Sequence, residues 1–376
     1  MTIINRSTTK FNKIHSKKKG TLALLQDLSD ARGANASKTS GNACPALLGF
    51  SIGNEGCPGS NATFWAVREQ LQKFSTAHLP RPLLVGPDSP MMPTNANYFV
   101  PLATKILRAA GGALDAATFH VYSFCDGNRP ASSSIKETSK VKFFDKQAMA
   151  LPAESVRMMR AVVANTTLPP SFPIWLSETN SICSGGVANL SNTYANTPWL
   201  FNQLGLLARM GVPVMAQQTL IGSDYGLLSG HGDRLQNASL QWEAQVTARP
   251  NFFANILHRR LTAAPGSDSM MTVLNASIDS ESAAVYAYCA SATASDLVSL
   301  PGSVFGGAGS VVFVLLNLDP NQTLTFQLSV PPPTAFASSV VRSGDQQATG
   351  TKQQQNDGAR VAAPQLSVWE LYGQVR

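Results

Sequence analysis

From Pro45 to about Thr262, short apolar runs that end in polar or charged residues alternate with amphipathic segments. Runs of that length, closed by turn residues and followed by stretches of helical spacing, predict βα units on a parallel sheet. The pattern places strands at 47–53, 82–85, 116–121, 173–176 and 212–217. Helices are expected at 64–74, 99–110, 153–164 and 197–210, with 250–261 as a closing helix. GPDSP, GG and SGG breaks punctuate the joins. A complete (β/α)8 barrel holds eight such units. The reading finds five, and nothing in residues 1–42 reads as the three strands that would precede them.

After Thr262 the texture changes to alternating runs: SAAVYAYCA, SVVFVLLNL, LTFQLSV, SSVVR and QLSVWELY. Separated by turns rich in Gly, Pro, Asn and Asp, these predict an antiparallel β-sandwich. The expected fold is therefore α/β plus all-β: a TIM-type (β/α)8 barrel, incomplete at its N-terminus, followed by a C-terminal sandwich. The expected domains are a basic, low-complexity arm with a partial helix (1–42), the barrel portion with strands four to eight (43–262), and the sandwich (263–376).

Composition sharpens this picture in a few places. Arg6, Lys10, Lys13, Lys17, Lys18 and Lys19 precede the first acid, Asp27, so six charges of the formal net +7 lie in the arm. The body is near neutral and offers no basic cleft, which argues against nucleic acid as a partner. No apolar stretch is long enough to span a bilayer, so no transmembrane segment is expected. TLALL (residues 21–25) is too short for the apolar core of a secretory signal. Yet sequons occur at Asn5, Asn35, Asn61, Asn165, Asn189, Asn237, Asn275 and Asn321, against roughly four expected by chance. The expected localisation is secreted, lysosomal or extracellular, with the leader outside this chain. The cysteines, Cys44, Cys57, Cys125, Cys183 and Cys289, show no CxxC spacing. A pair among Cys57, Cys125 and Cys183 would form near the strand ends; buried free thiols are the equal alternative. Five histidines without HxH or HExxH spacing offer no zinc site, and neither a metal nor an organic cofactor is expected.

Two runs carry the chemistry: LLGFSIGNEG ends in Glu55, and FPIWLSETNS contains Glu178 at its strand end. Strand ends of a parallel barrel converge on one face, and two carboxylates held there are the working parts of a glycoside hydrolase. In a retaining enzyme one carboxyl protonates the leaving oxygen, here Glu55, and the other attacks the anomeric carbon, here Glu178. Asn54 is placed to donate to the sugar's 2-hydroxyl.

IGNEG, GPD (Gly86 to Asp88), TFHVYS, IWLSET, SGGVANLSNTY, LGLLARMGVPVMAQQ and SDYGLL occur in that order. Together they resemble the heparanase family, glycoside hydrolase family 79, from about Leu47 to the C-terminus. The resemblance implies Glu55 as acid/base and Glu178 as nucleophile, with Tyr122 orienting the nucleophile and His120 below the sugar. It implies that backbone N–H groups of Gly185 and Gly186, with Tyr225, meet a uronic acid carboxylate, and that Gln218 lines the cleft. It implies a glucuronic-acid-containing glycan as substrate and a separate N-terminal subunit that completes the barrel. Cys289 matches a family cysteine whose disulfide partner has no counterpart here.

Some positions depart from the family pattern. CPGS follows IGNEG, SPMMP follows GPD, and Gln217 stands where the family has a basic residue, so cations for sulfate groups are lacking. A less sulfated β-glucuronide is the expected substrate. The alternatives are a non-catalytic glycan-binding homologue or inactive barrel fragment, and a clan relative acting on another sugar, such as a xylanase or arabinofuranosidase.

Overall fold

The structure is a computed structural model that describes residues 3–4, 49–54, 61–73, 81–125, 145–229, 246–262, 272–289, 311–319 and 323–326. Six parallel strands form one curled sheet, a half-barrel, in sequence order. They are β1 (Ile3–Ile4), β2 (Gly49–Ser51), β3 (Leu83–Pro90), β4 (Ala116–Tyr122), β5 (Ile174–Asn180) and β6 (Met215–Gln217). Five of the six match the strands expected from the hydrophobic pattern. The sixth, β1, pairs in parallel with β2 and comes from the arm, where no barrel strand was expected. Two isoleucines are too short a run to register as a strand against basic, polar flanks.

Helices α1 (Asn61–Lys73), α2 (Ala96–Ala110), α3 (Lys146–Ala164), α4 (Asn196–Arg209) and α5 (Pro250–Thr262) accompany the sheet. Their spacing explains the outer core. In α2, Ala103, Ile106, Leu107 and Ala110 recur at helical period and are buried. They meet Phe119 and Val121, the outward face of β4, in one apolar cluster. Helix α3 starts seven residues before the expected 153, because its N-terminus is set by the Asp145 carboxylate, which accepts from the Ala148 N–H. The helix then runs through Pro152 instead of beginning after it.

After β6, β7 (Leu228–Ser229) and β8 (Thr247–Ala248) pair antiparallel. The C-terminal strands β9 (Val273–Leu274), β10 (Ala283–Cys289) and β11 (Val311–Asn317) form an antiparallel sheet in the order β11-β10-β9. The runs SAAVYAYCA and SVVFVLLNL are thus strands, as expected. Residues 324–326, the start of LTFQLSV, form none, and the remaining expected strands lie outside the described residues. The C-terminal sheet packs on α4, where a Cβ on Gly205 would stand 2.2 Å from the Tyr286 ring. Tyr286 also donates a 2.7 Å hydrogen bond to Asn202. Helix α4 is consequently buried on both sides, which suits its apolar composition.

Candidate active site

The site gathers at the C-terminal ends of β3 to β6. Alternation along β4 sends Phe119 and Val121 to the helices and Thr118, His120 and Tyr122 to the barrel interior. Strand β5 carries Glu178 to the same level. Leu176 pairs with Met215 and Thr179 with Gln217, so β5 holds one more residue than its partner over that stretch. The pairing with β4 shifts at the same place, bringing His120 opposite Glu178. This bulge lets Ser177 and Glu178 both reach inward, which strict alternation would forbid.

Glu178 is held at one oxygen and faced by an imidazole at the other. The Tyr122 hydroxyl donates to Glu178 Oε1 at 2.7 Å and stands 2.6 Å from Gln218 Oε1. A phenol has one proton and the carboxylate is the stronger acceptor, so the proton goes to Glu178. Turning the Gln218 amide would set its N–H₂ toward the phenol oxygen. His120 Nδ1 lies 3.9 Å from Glu178 Oε2. The Glu178 side chain keeps 16% of its surface exposed, so a ligand can still reach it. Burial and then the Glu178 charge push the Tyr122 hydroxyl far above the ordinary phenol range, and it remains a donor.

Beneath this group lies Asp88, fully buried at the bulge where the β3–β4 register shifts between Gly86 and Ser89. Its φ of 56° is a left-handed conformation that turns the side chain inward. Ser51 and Ser177 donate to its two oxygens, and His120 Nε2 stands 3.7 Å from Oδ1. Burial works against the charge, but the imidazole and the two hydroxyls outweigh it, so Asp88 titrates below the ordinary aspartate value. The GPD motif marked this segment without assigning its carboxylate a role.

The loop after β5 is tied back by a disulfide between Cys125 and Cys183, one of the pairs left open by the sequence. Gly185 and Gly186 follow at φ 96° and 83°. A Cβ on Gly186 would stand 2.9 Å from Ser191 and 3.1 Å from the Tyr225 ring, so only glycine fits there. The Gly186 N–H donates to the Cys183 carbonyl at 3.3 Å, within its own turn, rather than standing ready for a ligand. Tyr225 is buried with its ring centroid 6.4 Å from that of Tyr122. Asn180 donates to the carbonyls of Gln218 and Tyr225, pinning both to β5. Arg249 Nη1 lies 2.8–3.1 Å from the carbonyls of Ser223, Asp224 and Gly226 and so braces the Tyr225 loop. Neither Asn180 nor Arg249 carries a local sequence signal.

His120, Tyr122, Glu178, Gln218 and Tyr225 are therefore brought together, with the two glycines beside Tyr225. Asn54 ends the described segment that follows β2, half-buried, and Glu55 lies outside the described residues. The turn before Asn54 is close to β3: a Cβ on Gly53 would stand 2.1 Å from the Pro87 carbonyl oxygen. Among the described residues, no group of three or more His, Cys, Asp or Glu is arranged to hold a metal ion. No described helix is long and apolar enough to cross a membrane.

No protein-family model matches the chain. Among curated proteins, it is 31% identical to bovine (Bos taurus) heparanase over 153 residues, 40% of this chain and 26% of that protein. It is 31% identical to a hyaluronoglucuronidase from Hirudo nipponia over 169 residues, 44% of this chain and 30% of the relative. Heparanase-like protein 1 of Arabidopsis thaliana matches at 25% over 189 residues, 50% of this chain and 30% of that protein. The chain thus spans between 21% and 36% of the length of such curated relatives. Among solved structures, a GH51 arabinofuranosidase from Xanthomonas axonopodis pv. citri superposes with a TM-score of 0.50 at 15% identity. That match covers 78% of this chain and 59% of the enzyme. It speaks for the fold alone, and with the curled parallel sheet it assigns the chain to the TIM-type barrels.

Proposed function

We propose that the chain is a retaining glycoside hydrolase of the heparanase type that cleaves β-glucuronide linkages in glycans. The observation that carries this reading is Glu178, a reachable carboxylate at a strand end with a phenol on one oxygen and an imidazole facing the other. A carboxylate fixed in this way is what nucleophilic attack at an anomeric carbon requires. The sequence likeness to heparanases and to a hyaluronoglucuronidase supports glucuronides as the substrate class.

In this mechanism a Glu178 oxygen bonds to the anomeric carbon while the glycosidic bond breaks. Glu55 gives its proton to the departing oxygen. Water then attacks the same carbon, Glu55 takes a proton from it, and Glu178 leaves as a carboxylate. Tyr122 holds Glu178 Oε1, which leaves Oε2, on the His120 side, to be aligned by the ring. Sulfated substrates fit less well: the Gln217 amide oxygen accepts from Asn255 at 3.0 Å, and Arg249 is occupied by loop carbonyls.

Release of chromophore from an aryl β-D-glucuronide, wild type against Glu178→Ala, tests the reading. Turnover that falls by about 10⁴-fold or more in the variant is expected. It should change little between low and moderate salt, since exposed charge pairs are what salt screens. Folded wild-type protein without turnover would return the chain to the glycan-binding alternative.

A further inference from the structure

Three ionisable side chains stack beneath the sugar-facing surface, and no charge pattern in the sequence joins them. His120 is only 1% exposed. Its two ring nitrogens face two different carboxylates, Asp88 Oδ1 from β3 at 3.7 Å and Glu178 Oε2 from β5 at 3.9 Å. A neutral imidazole carries one N–H, so either tautomer would set a nitrogen lone pair against an anionic oxygen. The doubly protonated ring has a donor for each. Both carboxylates must then stay ionised, and the structure provides for that at Asp88. Ser51 and Ser177 donate to its oxygens, and the Asp88 N–H is used up on Thr118 Oγ1 at 2.9 Å, which fixes the backbone at the bulge. The two bulges place Asp88 and Glu178 at the two nitrogens of one ring, with Ser177 on Asp88.

We propose that Asp88 is a positioning residue for the candidate nucleophile, acting through His120: the buried carboxylate holds the ring in place as an imidazolium beneath Glu178. This rests on the reading of Glu178 as the nucleophile. Among the described residues, the titratable groups at the ring are Asp88 and Glu178, with Tyr122 and Tyr225 behind Glu178. Neither tyrosine can supply positive charge, so the cation that faces Glu178 here is His120. With Asp88 in place the ring keeps its second proton and its orientation. Without it, the ring sheds a proton and is free to turn its bare nitrogen toward Glu178.

The test uses the full chain with ¹⁵N-labelled histidine, titrated by NMR, and the His120 ring assigned by its loss in His120→Gln. In the wild type the ring should remain doubly protonated above about pH 7, and Asp88→Asn should lower its titration by about one unit or more. A wild-type ring that is singly protonated at about pH 6, or one that Asp88→Asn leaves unmoved, overturns the proposal whether or not the chain hydrolyses anything. On an aryl glucuronide, Asp88→Asn should lower kcat about tenfold with KM within about twofold. The double variant with His120→Gln should be no slower than His120→Gln alone. Fully additive losses would mean that Asp88 acts by another route and would overturn the proposal. If Asp88→Asn does not fold, Ser177→Ala removes one donor from the carboxylate and should move the His120 titration the same way by less; no movement overturns it. Folded wild-type protein without turnover removes the proposed function and leaves the titration to decide this one.

Discussion

Tyr122 shows how one side chain can be legible in sequence while its partners are not. It lies two residues after His120, the family resemblance singled out both, and alternation along β4 carries both to the barrel interior. Glu178 was singled out because it stands at the end of an apolar, strand-like run. Asp88 was not, because its inward direction comes from a positive φ within a bulge, and neither feature leaves a local pattern. Ser177 was hidden for the same reason: it shares a face with its neighbour Glu178 only through a register shift. The Tyr122 hydroxyl also yields a direct prediction. Tyr122→Phe keeps the ring packed near Tyr225 and removes the donor to Glu178. It should lower kcat about 10²-fold, the usual scale for losing one hydrogen bond aimed at reacting charge, with a melting temperature close to wild type. Steady-state kinetics beside a thermal melt would check this; unchanged kcat would remove Tyr122 from the site.

At the scale of elements, helices and strands were predicted from apolar runs and helical spacing, and their joins from Gly and Pro breaks. Helix α3 starts earlier than expected because Asp145 caps it and Pro152 is accommodated inside the helix. The segment after β5 is different, because its shape depends on a covalent tie. The Cys125–Cys183 disulfide spans 58 positions and joins the ends of β4 and β5 just before Gly185 and Gly186. Removing it with the double Cys→Ser variant should cost about 2–4 kcal/mol of stability. Because the glycine turn hangs from this tie, KM for a glucuronide should rise more than kcat falls. A calorimetric scan and substrate titration would read both, and an unchanged KM would detach the turn from the substrate.

At the scale of the whole molecule, the barrel portion and the C-terminal sheet share a core built on α4, with Trp199, Leu200, Tyr286 and Tyr288 in one cluster. His258 of α5 is caught in it, 6% exposed, with Phe201 and Tyr288 ring centroids at 6.1 and 5.5 Å. Burial pushes its pKa down to about 4 from the ordinary 6.5. The unfolded chain therefore binds the proton more readily between those values. Stability is fully present above about pH 6.5 and is lost as pH falls toward 4. The full loss is of order 3 kcal/mol. Denaturant midpoints at neutral and acid pH should converge in His258→Phe, while the wild type falls. A wild-type midpoint that is flat over that range would contradict the burial argument.

The sequence by itself determined the order and kind of the main barrel elements and the strand-end placement of Glu178, because hydrophobic period is a local property that each segment carries alone. The family resemblance drew attention to His120 and Tyr122, which β4 carries to the barrel interior. Tertiary structure decided which residues meet. The bulges at Asp88 and Ser177, the choice of Cys125 for Cys183, the β1 pairing and the close approach of Gly205 to Tyr286 all join segments distant in the chain. Such contacts depend on register and distance between elements, and those exist only once the sheet has curled and the helices have packed against it.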